Sequence, residues 1–123
     1  MKNVGKQQSN FDLDLEYGND GENFVLSLLN GATKVEVKTD RMAHHTGNIA
    51  VEYEFNGKPS GISTTKADYW AFVLGEKSLV VFIKTEDLKN IARFWFKKGN
   101  FVSGGDFNSS KMILIPTNQI LNT

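Results

Sequence analysis

Two stretches in the first half of the chain alternate apolar and polar residues with a period of two. In residues 34–40, Val35 and Val37 alternate with charged side chains, and in residues 47–55 every second residue from Ile49 to Phe55 is apolar. This period is typical of β-strands that have one apolar and one polar face. We therefore expect two neighbouring strands whose polar faces place several carboxylates and a lysine on one surface.

The N-terminal residues show a related pattern. Residues 1–10 are polar and predict a flexible terminus, whereas residues 11–17 alternate and predict a short strand or extended arm. Residues 18–21 (GNDG) predict a turn. Asn19 or Asp20 could cap a helix over residues 22–30, whose Asn30-Gly31 end favours a left-handed stop.

The second half predicts two helices and two strands. A connection rich in proline, glycine and hydroxyl groups follows Phe55, and Thr64 or Thr65 could cap a helix over residues 66–74. The apolar run at 78–84 predicts a buried strand. The remaining elements are a helix capped by Thr85 and running to the lysines at 97 and 98, and a strand over residues 112–115. The helix predicted over residues 66–74 carries more aromatic residues than one face needs, so Tyr69, Trp70 and Phe72 could supply an interface.

Composition indicates one ordinary globular domain spanning residues 1–123. The chain has 123 residues, of which 40% are hydrophobic, which is enough for one core. It has no cysteine, which excludes disulfides and thiolate zinc sites. No apolar run is long enough to span a membrane, and the polar start resembles no signal region. We expect a cytoplasmic protein with no membrane partner.

Charge changes this picture only slightly. The formal net charge is zero, so composition alone does not favour a nucleic-acid partner. Residues 1–60 carry six basic and nine acidic side chains, and residues 61–123 carry eight and five. A carboxylate cluster that holds cations beside a basic half would give such an asymmetry, although chance would too.

The spacing Glu36-x-Lys38 permits phosphodiester hydrolysis. On one strand face, the carboxylate can ligate Mg²⁺ through oxygen, and the lysine can orient or deprotonate an attacking water and offset negative charge. A second acid on an adjacent strand would complete the metal shell. The pattern alone is weak evidence, because many surface strands contain it. His44 and His45 would point apart in an extended loop, so we expect solvated histidines there.

Four sequence segments strengthen the case for phosphodiester hydrolysis. They are VEVKTD at 35–40, TGNIAVEYE at 46–54, GKPSGI at 57–62 and TKADYW at 65–70. In this order they resemble small phage-type members of the PD-(D/E)XK nuclease superfamily, over about residues 11–75. The resemblance implies an α/β fold of the α+β sandwich type, with a restriction-endonuclease-like core in which helices flank a mixed sheet. It also implies a DNA endonuclease that depends on Mg²⁺ or Mn²⁺, acting in the host cytoplasm if phage-encoded.

The resemblance assigns Glu36 as a metal-binding acid, Lys38 as the catalytic lysine and Glu22 as the acid of the first helix. The superfamily also expects an acid on the strand before the acid-x-Lys strand, and here no strand separates the first helix from Glu36. Two registers stay open. In the first, Glu36-x-Lys38 is the motif, and the other acid is Asp40, Glu52 or a residue of the early arm.

In the second register, Glu36 takes the place of the missing acid, and Glu52-Tyr53-Glu54 is an acid-x-acid form of the motif. Lys38 or Lys66 then supplies the positive charge. Strand order favours this register, because Glu52 lies just before the predicted second helix. Both registers use Glu36 and place Glu52 close to it.

Several of these residues have structural alternatives. Asp40 and Arg41 could form only a turn, and residues 60–65 could only cap a helix. Glu52 and Glu54 could lie on a solvated face and pair with lysine across strands. As DNA contacts we expect Arg41, Lys58, Ser60, Thr65 and Lys66.

The functional expectation is a homodimer that engages both strands of DNA. One alternative is a nuclease-like module that grips DNA or protein without cutting. Another is a small interaction protein that dimerises through its aromatic residues.

Overall fold

The computed structural model describes residues 6–76, 78–105 and 108–122, with side chains from residue 15 to residue 120. The chain divides into two compact units, Met1–Thr33 and Lys34–Thr123. Residues 1–5 of the expected flexible terminus lie outside the described residues, and residues 6–10 are helical. That the whole chain forms one domain stays a prediction.

The first unit contains one long helix, α1 (Lys6–Leu29). The strand predicted over residues 11–17 and the turn predicted over 18–21 are therefore wrong. A seven-residue alternation also contains pairs spaced i and i+4, so it does not distinguish a strand from a helix. Glycine costs a helix only about 1 kcal/mol relative to alanine, and 24 residues tolerate Gly18 and Gly21. The predicted stop is confirmed, because the helix ends at Leu29 and Gly31 has a φ of +78°.

In its described residues, the second unit forms two sheets built from seven strands. The strands are β1 (Val35–Thr39), β2 (Asn48–Phe55), β3 (Lys58–Pro59), β4 (Tyr69–Leu74), β5 (Leu79–Lys84), β6 (Phe101–Gly104) and β7 (Ser110–Pro116). The first sheet has the order β1-β4-β5, with β1 parallel and β5 antiparallel to β4. The second sheet is antiparallel throughout, in the order β3-β2-β7-β6.

α-Helices and 3₁₀ segments complete the described part of this unit. They are α2 (Ala43–Thr46), α3 (Thr85–Lys97) and the 3₁₀ segments Gly61–Ser63 and Thr117–Asn122. The protein is therefore a mixed α/β protein with one mixed and one antiparallel sheet, compatible with the predicted α+β sandwich class. None of the described helices is long and apolar enough to cross a membrane.

Strands β1 and β2 form where the alternation predicts them, but they are not neighbours. They lie in different sheets, where β1 pairs with β4 and β2 pairs with β3 and β7. Strand β1 ends at Thr39, Asp40 follows it, and the short helix α2 then carries the chain across to the second sheet. The expectation that Glu52 lies beside Glu36 depended on pairing between β1 and β2, and these strands do not pair.

The helix predicted over residues 66–74 is strand β4. Its sequence, YWAFVL, is a short apolar run whose period does not separate a strand from a buried helix. As the central strand, β4 has a partner strand on each side, and Trp70, Ala71 and Phe72 are buried in succession. Thr64 and Thr65 therefore do not begin a helix; Thr64 instead ends the 3₁₀ segment Gly61–Ser63. Trp70 and Phe72 cannot form the proposed dimer surface.

The core lies between the two sheets and α3. Its buried members come from β4 and β5 (Trp70, Phe72, Ile83), from β2 and β7 (Ile49, Val51, Ile113, Ile115), from α3 (Leu88, Ala92) and from connecting segments (Ala43, Ile62, Ile120). We call the side of the first sheet that carries Trp70 and Phe72 its inner face. It packs on the second sheet.

The last predicted elements are confirmed with two changes. Strand β5 forms, but it is an edge strand, and Phe82 is 41% exposed where a buried strand was expected. Helix α3 forms, but its N-cap is Lys84, because the Thr85 hydroxyl donates to the carbonyl of Ala67 at 2.7 Å. The predicted strand over residues 112–115 is the middle of β7.

Candidate functional site

Glu36 and Lys38 form an ion pair on β1. The Glu36 Oε2 and Lys38 Nζ atoms are 3.5 Å apart, and the two side chains are 41% and 48% exposed. In the parallel register Glu36 lies opposite Trp70 and Lys38 opposite Phe72, so both charged side chains are on the inner face. The expected shared face of Glu36 and Lys38 is confirmed.

The valines of β1 lie on the outer face, where Val37 is 59% exposed. An amphipathic strand usually buries its apolar face, whereas here the charged face is on the same side as the core. Lys38 Nζ lies 5.8 Å from the centroid of the Trp70 ring, within range of a cation–π contact. The Lys38 ammonium thus lies over the ring of the buried Trp70.

Asp40 directly follows β1, and both of its carboxylate oxygens accept hydrogen bonds from backbone N–H groups. Oδ1 accepts from the N–H groups of Met42 and Ala43 at 3.0 and 2.9 Å, and Oδ2 accepts from that of Ala50 at 3.2 Å. These bonds hold the start of α2 and join the end of β1 to β2. The geometry supports the turn alternative for Asp40, and its metal role stays a prediction.

Replacing Asp40 with alanine should lower the free energy of unfolding by about 2–3 kcal/mol, because three N–H groups lose their acceptor. Urea denaturation followed by circular dichroism measures this. Asp40→Asn keeps one oxygen that can accept and should cost less. Equal stability of Asp40→Ala and the wild type would show that the turn does not depend on this carboxylate.

Glu52 is half-buried on β2 and is held by the segment that follows β3. Its Oε2 accepts from the Ser60 hydroxyl at 3.0 Å, while the Ser60 N–H donates to the carbonyl of Tyr53 at 3.1 Å. Gly61 packs against the backbone carbonyl of Glu52 so closely that a Cβ would overlap it. The Ser60 hydroxyl, an expected DNA contact, therefore has an internal partner.

Glu54 forms an ion pair with Lys111 of β7, with Oε2 and Nζ 3.0 Å apart. The hydrogen bond and the charge of Glu54 hold the pKa of Lys111 above its ordinary value. This cross-strand pairing is the alternative that the alternation left open for Glu54.

Five expected site residues remain: Glu22, Arg41, Lys58, Thr65 and Lys66. Glu22 is exposed within α1, seven residues before the helix ends, rather than in a first turn. Thr65 is half-buried, and its hydroxyl accepts from the Ala67 N–H at 3.2 Å. Three expected DNA contacts are exposed: Arg41, Lys58 and Lys66.

His44 and His45 lie in α2 rather than in an extended loop. Their ring centroids are 4.0 Å apart, so the expectation that they point apart is wrong, whereas both are exposed as expected. In the described part of the chain, no three His, Asp or Glu side chains lie close enough together to share a metal ion.

A groove between β2, the 61–63 segment and α3 was not predicted from the sequence. It has a volume of about 390 Å³. Two cations, two aromatic rings and one hydroxyl line it (Lys89, Arg93, Tyr53, Phe96, Ser63), above buried Ile62, Ala92 and Ile113. The available signal was the i, i+4 spacing of Lys89 and Arg93, which places both cations on one side of α3.

No protein-family model, no curated protein and no solved structure matches this chain. The resemblance to PD-(D/E)XK nucleases therefore stays a prediction that depends on the four sequence segments at 35–40, 46–54, 57–62 and 65–70.

Proposed function

We propose that this protein is a DNA endonuclease that uses Mg²⁺ or Mn²⁺ to hydrolyse phosphodiester bonds, possible substrates including branched or structured DNA. The observation that carries the proposal is the Glu36–Lys38 pair, with Oε2 and Nζ 3.5 Å apart and both side chains open to solvent. A carboxylate and an ammonium at this separation can serve one phosphate, the first through a cation and the second directly.

The residues present fit a magnesium ion. Mg²⁺ keeps several waters and is usually bound by one or two carboxylates together with substrate phosphates, so a large cluster of acids is not required. Glu36 offers an exposed carboxylate whose Oε1 has no hydrogen-bond partner among the described residues. Asp40, Glu52 and Glu22 remain proposed metal ligands from the resemblance, and Glu54 is a weaker candidate. When bound, the ion supplies Lewis-acid activation of the phosphate and of water.

Lys38 supplies positive charge where it is needed. Its ammonium can donate hydrogen bonds to the non-bridging phosphate oxygens, and this interaction strengthens as negative charge develops in the transition state. Water attacks phosphorus and gives up a proton, one P–O ester bond breaks, and the leaving oxygen takes up a proton to become an alcohol. The ring of Trp70, 5.8 Å from Nζ, limits where the ammonium can lie.

The direct test is to incubate the purified protein with labelled single-stranded, duplex and branched DNA in Mg²⁺ or Mn²⁺. We expect cleavage of at least one of these DNAs and none in EDTA. If every DNA stays intact with either metal, the nuclease proposal fails. Binding without cleavage would instead support the alternative, a nuclease-like DNA-binding module.

We also propose that the active form is a homodimer in the cytoplasm, because a domain this small engages both DNA strands more readily as two copies. Light scattering at micromolar concentration should give twice the mass of one chain, at least when DNA is present. A single-chain mass with and without DNA would contradict this.

A further inference from the structure

We propose that the groove between β2 and α3 binds an unpaired nucleotide of single-stranded DNA. The base would lie against Tyr53 and Phe96, and the adjoining phosphates would contact Lys89 and Arg93. The proposal deepens the proposed function and rests on it for the choice of DNA as ligand. It adds a substrate class, DNA with an unpaired stretch, and a binding site that does not include Glu36 or Lys38.

The two cations of the groove are available for phosphate. Lys89 and Arg93 are four residues apart on α3, which puts them one above the other on the same side of the helix. Within the described residues, neither forms an ion pair with a carboxylate. Arg93 Nη1 donates to Asn90 Oδ1 at 2.7 Å, and the guanidinium has further N–H donors for a phosphate.

The aromatic side of the groove is preorganised. The Phe96 ring stacks on Phe101 with centroids 5.0 Å apart and meets the Tyr53 ring edge-on at 5.4 Å. Phe96 is nevertheless 43% exposed, so part of its surface remains open. Every base has an aromatic face, and stacking on such rings is the usual way in which proteins hold single strands without reading sequence.

The groove also has the size and charge of a nucleotide site. Its volume of about 390 Å³ falls in the range of small-ligand pockets, and its floor of Ile62, Ala92 and Ile113 is apolar. No carboxylate is among the described residues that line it. An anionic ligand with a flat apolar part fits these features. In duplex DNA the bases are stacked on one another, so only an unpaired base can reach the rings.

The test is fluorescence anisotropy with a labelled pentathymidylate in EDTA, where cleavage plays no part. The double variant Lys89→Ala, Arg93→Ala should bind at least about tenfold more weakly and lose roughly 1.4 from the salt slope, since two phosphate contacts to a single strand disappear. The matched control is Lys97→Ala with Lys98→Ala, which removes two charges from the end of the same helix outside the groove. Its affinity should stay within about twofold of the wild type. Equal thermal midpoints exclude misfolding as the cause.

The contribution of the base is measured separately. An abasic pentamer should bind the wild type several-fold more weakly than pentathymidylate, and Phe96→Leu should abolish most of this difference because it removes a stacking surface. Equal binding of the two oligomers to the wild type would overturn the proposal. So would a fully paired hairpin that binds as tightly as the single strand, or thymidine monophosphate that binds as tightly as the pentamer.

Failure of this proposal can be distinguished from failure of the nuclease. If the groove variant loses single-strand binding but the wild type cuts no DNA, the groove stands and the nuclease fails. If the groove variant binds and cuts DNA as the wild type does, the nuclease stands and the groove proposal is wrong.

Discussion

Replacement of Glu36 by glutamine should lower the rate of DNA cleavage by roughly 10³-fold, which corresponds to about 4 kcal/mol of lost transition-state stabilisation. Glutamine keeps the size of the side chain and its place on β1. It removes the charge that would hold the metal ion, and it also breaks the ion pair with Lys38. The measurement is a single-turnover rate on the best-cleaved DNA of the substrate panel, with enzyme in excess.

Glu86→Gln is the matched control for this experiment. Glu86 is an exposed carboxylate in the first turn of α3 and belongs to neither proposed site. Its replacement should change the rate by no more than about twofold. Cleavage that persists undiminished in Glu36→Gln would trace the activity to a contaminant or to another site.

Replacement of Gly61 by alanine should lower the free energy of unfolding by about 3–5 kcal/mol or prevent folding. A Cβ at this position would overlap the backbone carbonyl oxygen of Glu52, and no change of rotamer relieves a clash with backbone. Gly61 also has a φ of +52°, a conformation that costs other residues about 1–2 kcal/mol. Urea denaturation measures the difference.

Gly57→Ala separates the two causes. Gly57 has a φ of +80°, but a Cβ there would meet no atom within 4 Å. Its replacement should therefore cost only the conformational part, about 1–2 kcal/mol. If both variants lose the same stability, the close approach of Gly61 to Glu52 does not contribute.

Elements with strong periodicity could be predicted from the sequence. Strands β1 and β2 followed from their alternation, and α3 from its i, i+3, i+4 apolar stripe. Strand β4 could not be predicted, because the run YWAFVL is apolar throughout. Its residues 70–72 are buried because β4 lies between β1 and β5 in the first sheet. The C-terminal part of α1 was predicted as a helix over residues 22–30, but its N-terminal part was missed, because alternation over seven residues also satisfies helical spacing.

Strand pairing was harder to predict than strand position. Strands that follow one another in sequence pair about two-thirds of the time, so pairing β1 with β2 was the reasonable expectation. Instead the carboxylate of Asp40 accepts hydrogen bonds from α2 and from Ala50, and the chain crosses between sheets at that point. Such a role depends on contacts that only the folded chain makes.

The same distinction applies to the candidate site. The Glu36–Lys38 arrangement could be predicted because side chains two apart on a strand share a face whatever the partner strand is. The proximity of Glu52 to Glu36 could not, since it depended on an assumed pairing. The groove required the helix side of Lys89 and Arg93 to meet the rings of Tyr53 and Phe96, which are far apart in sequence.

The most direct test of the nuclease proposal is the dependence of the cleavage rate on Mg²⁺. Metal-free wild-type protein should cut no DNA in EDTA, and added Mg²⁺ should restore a rate that saturates, with Glu36→Gln requiring far more metal to reach any measurable rate. An undiminished rate in EDTA, or no cleavage at any concentration of Mg²⁺ or Mn²⁺, would contradict the proposal.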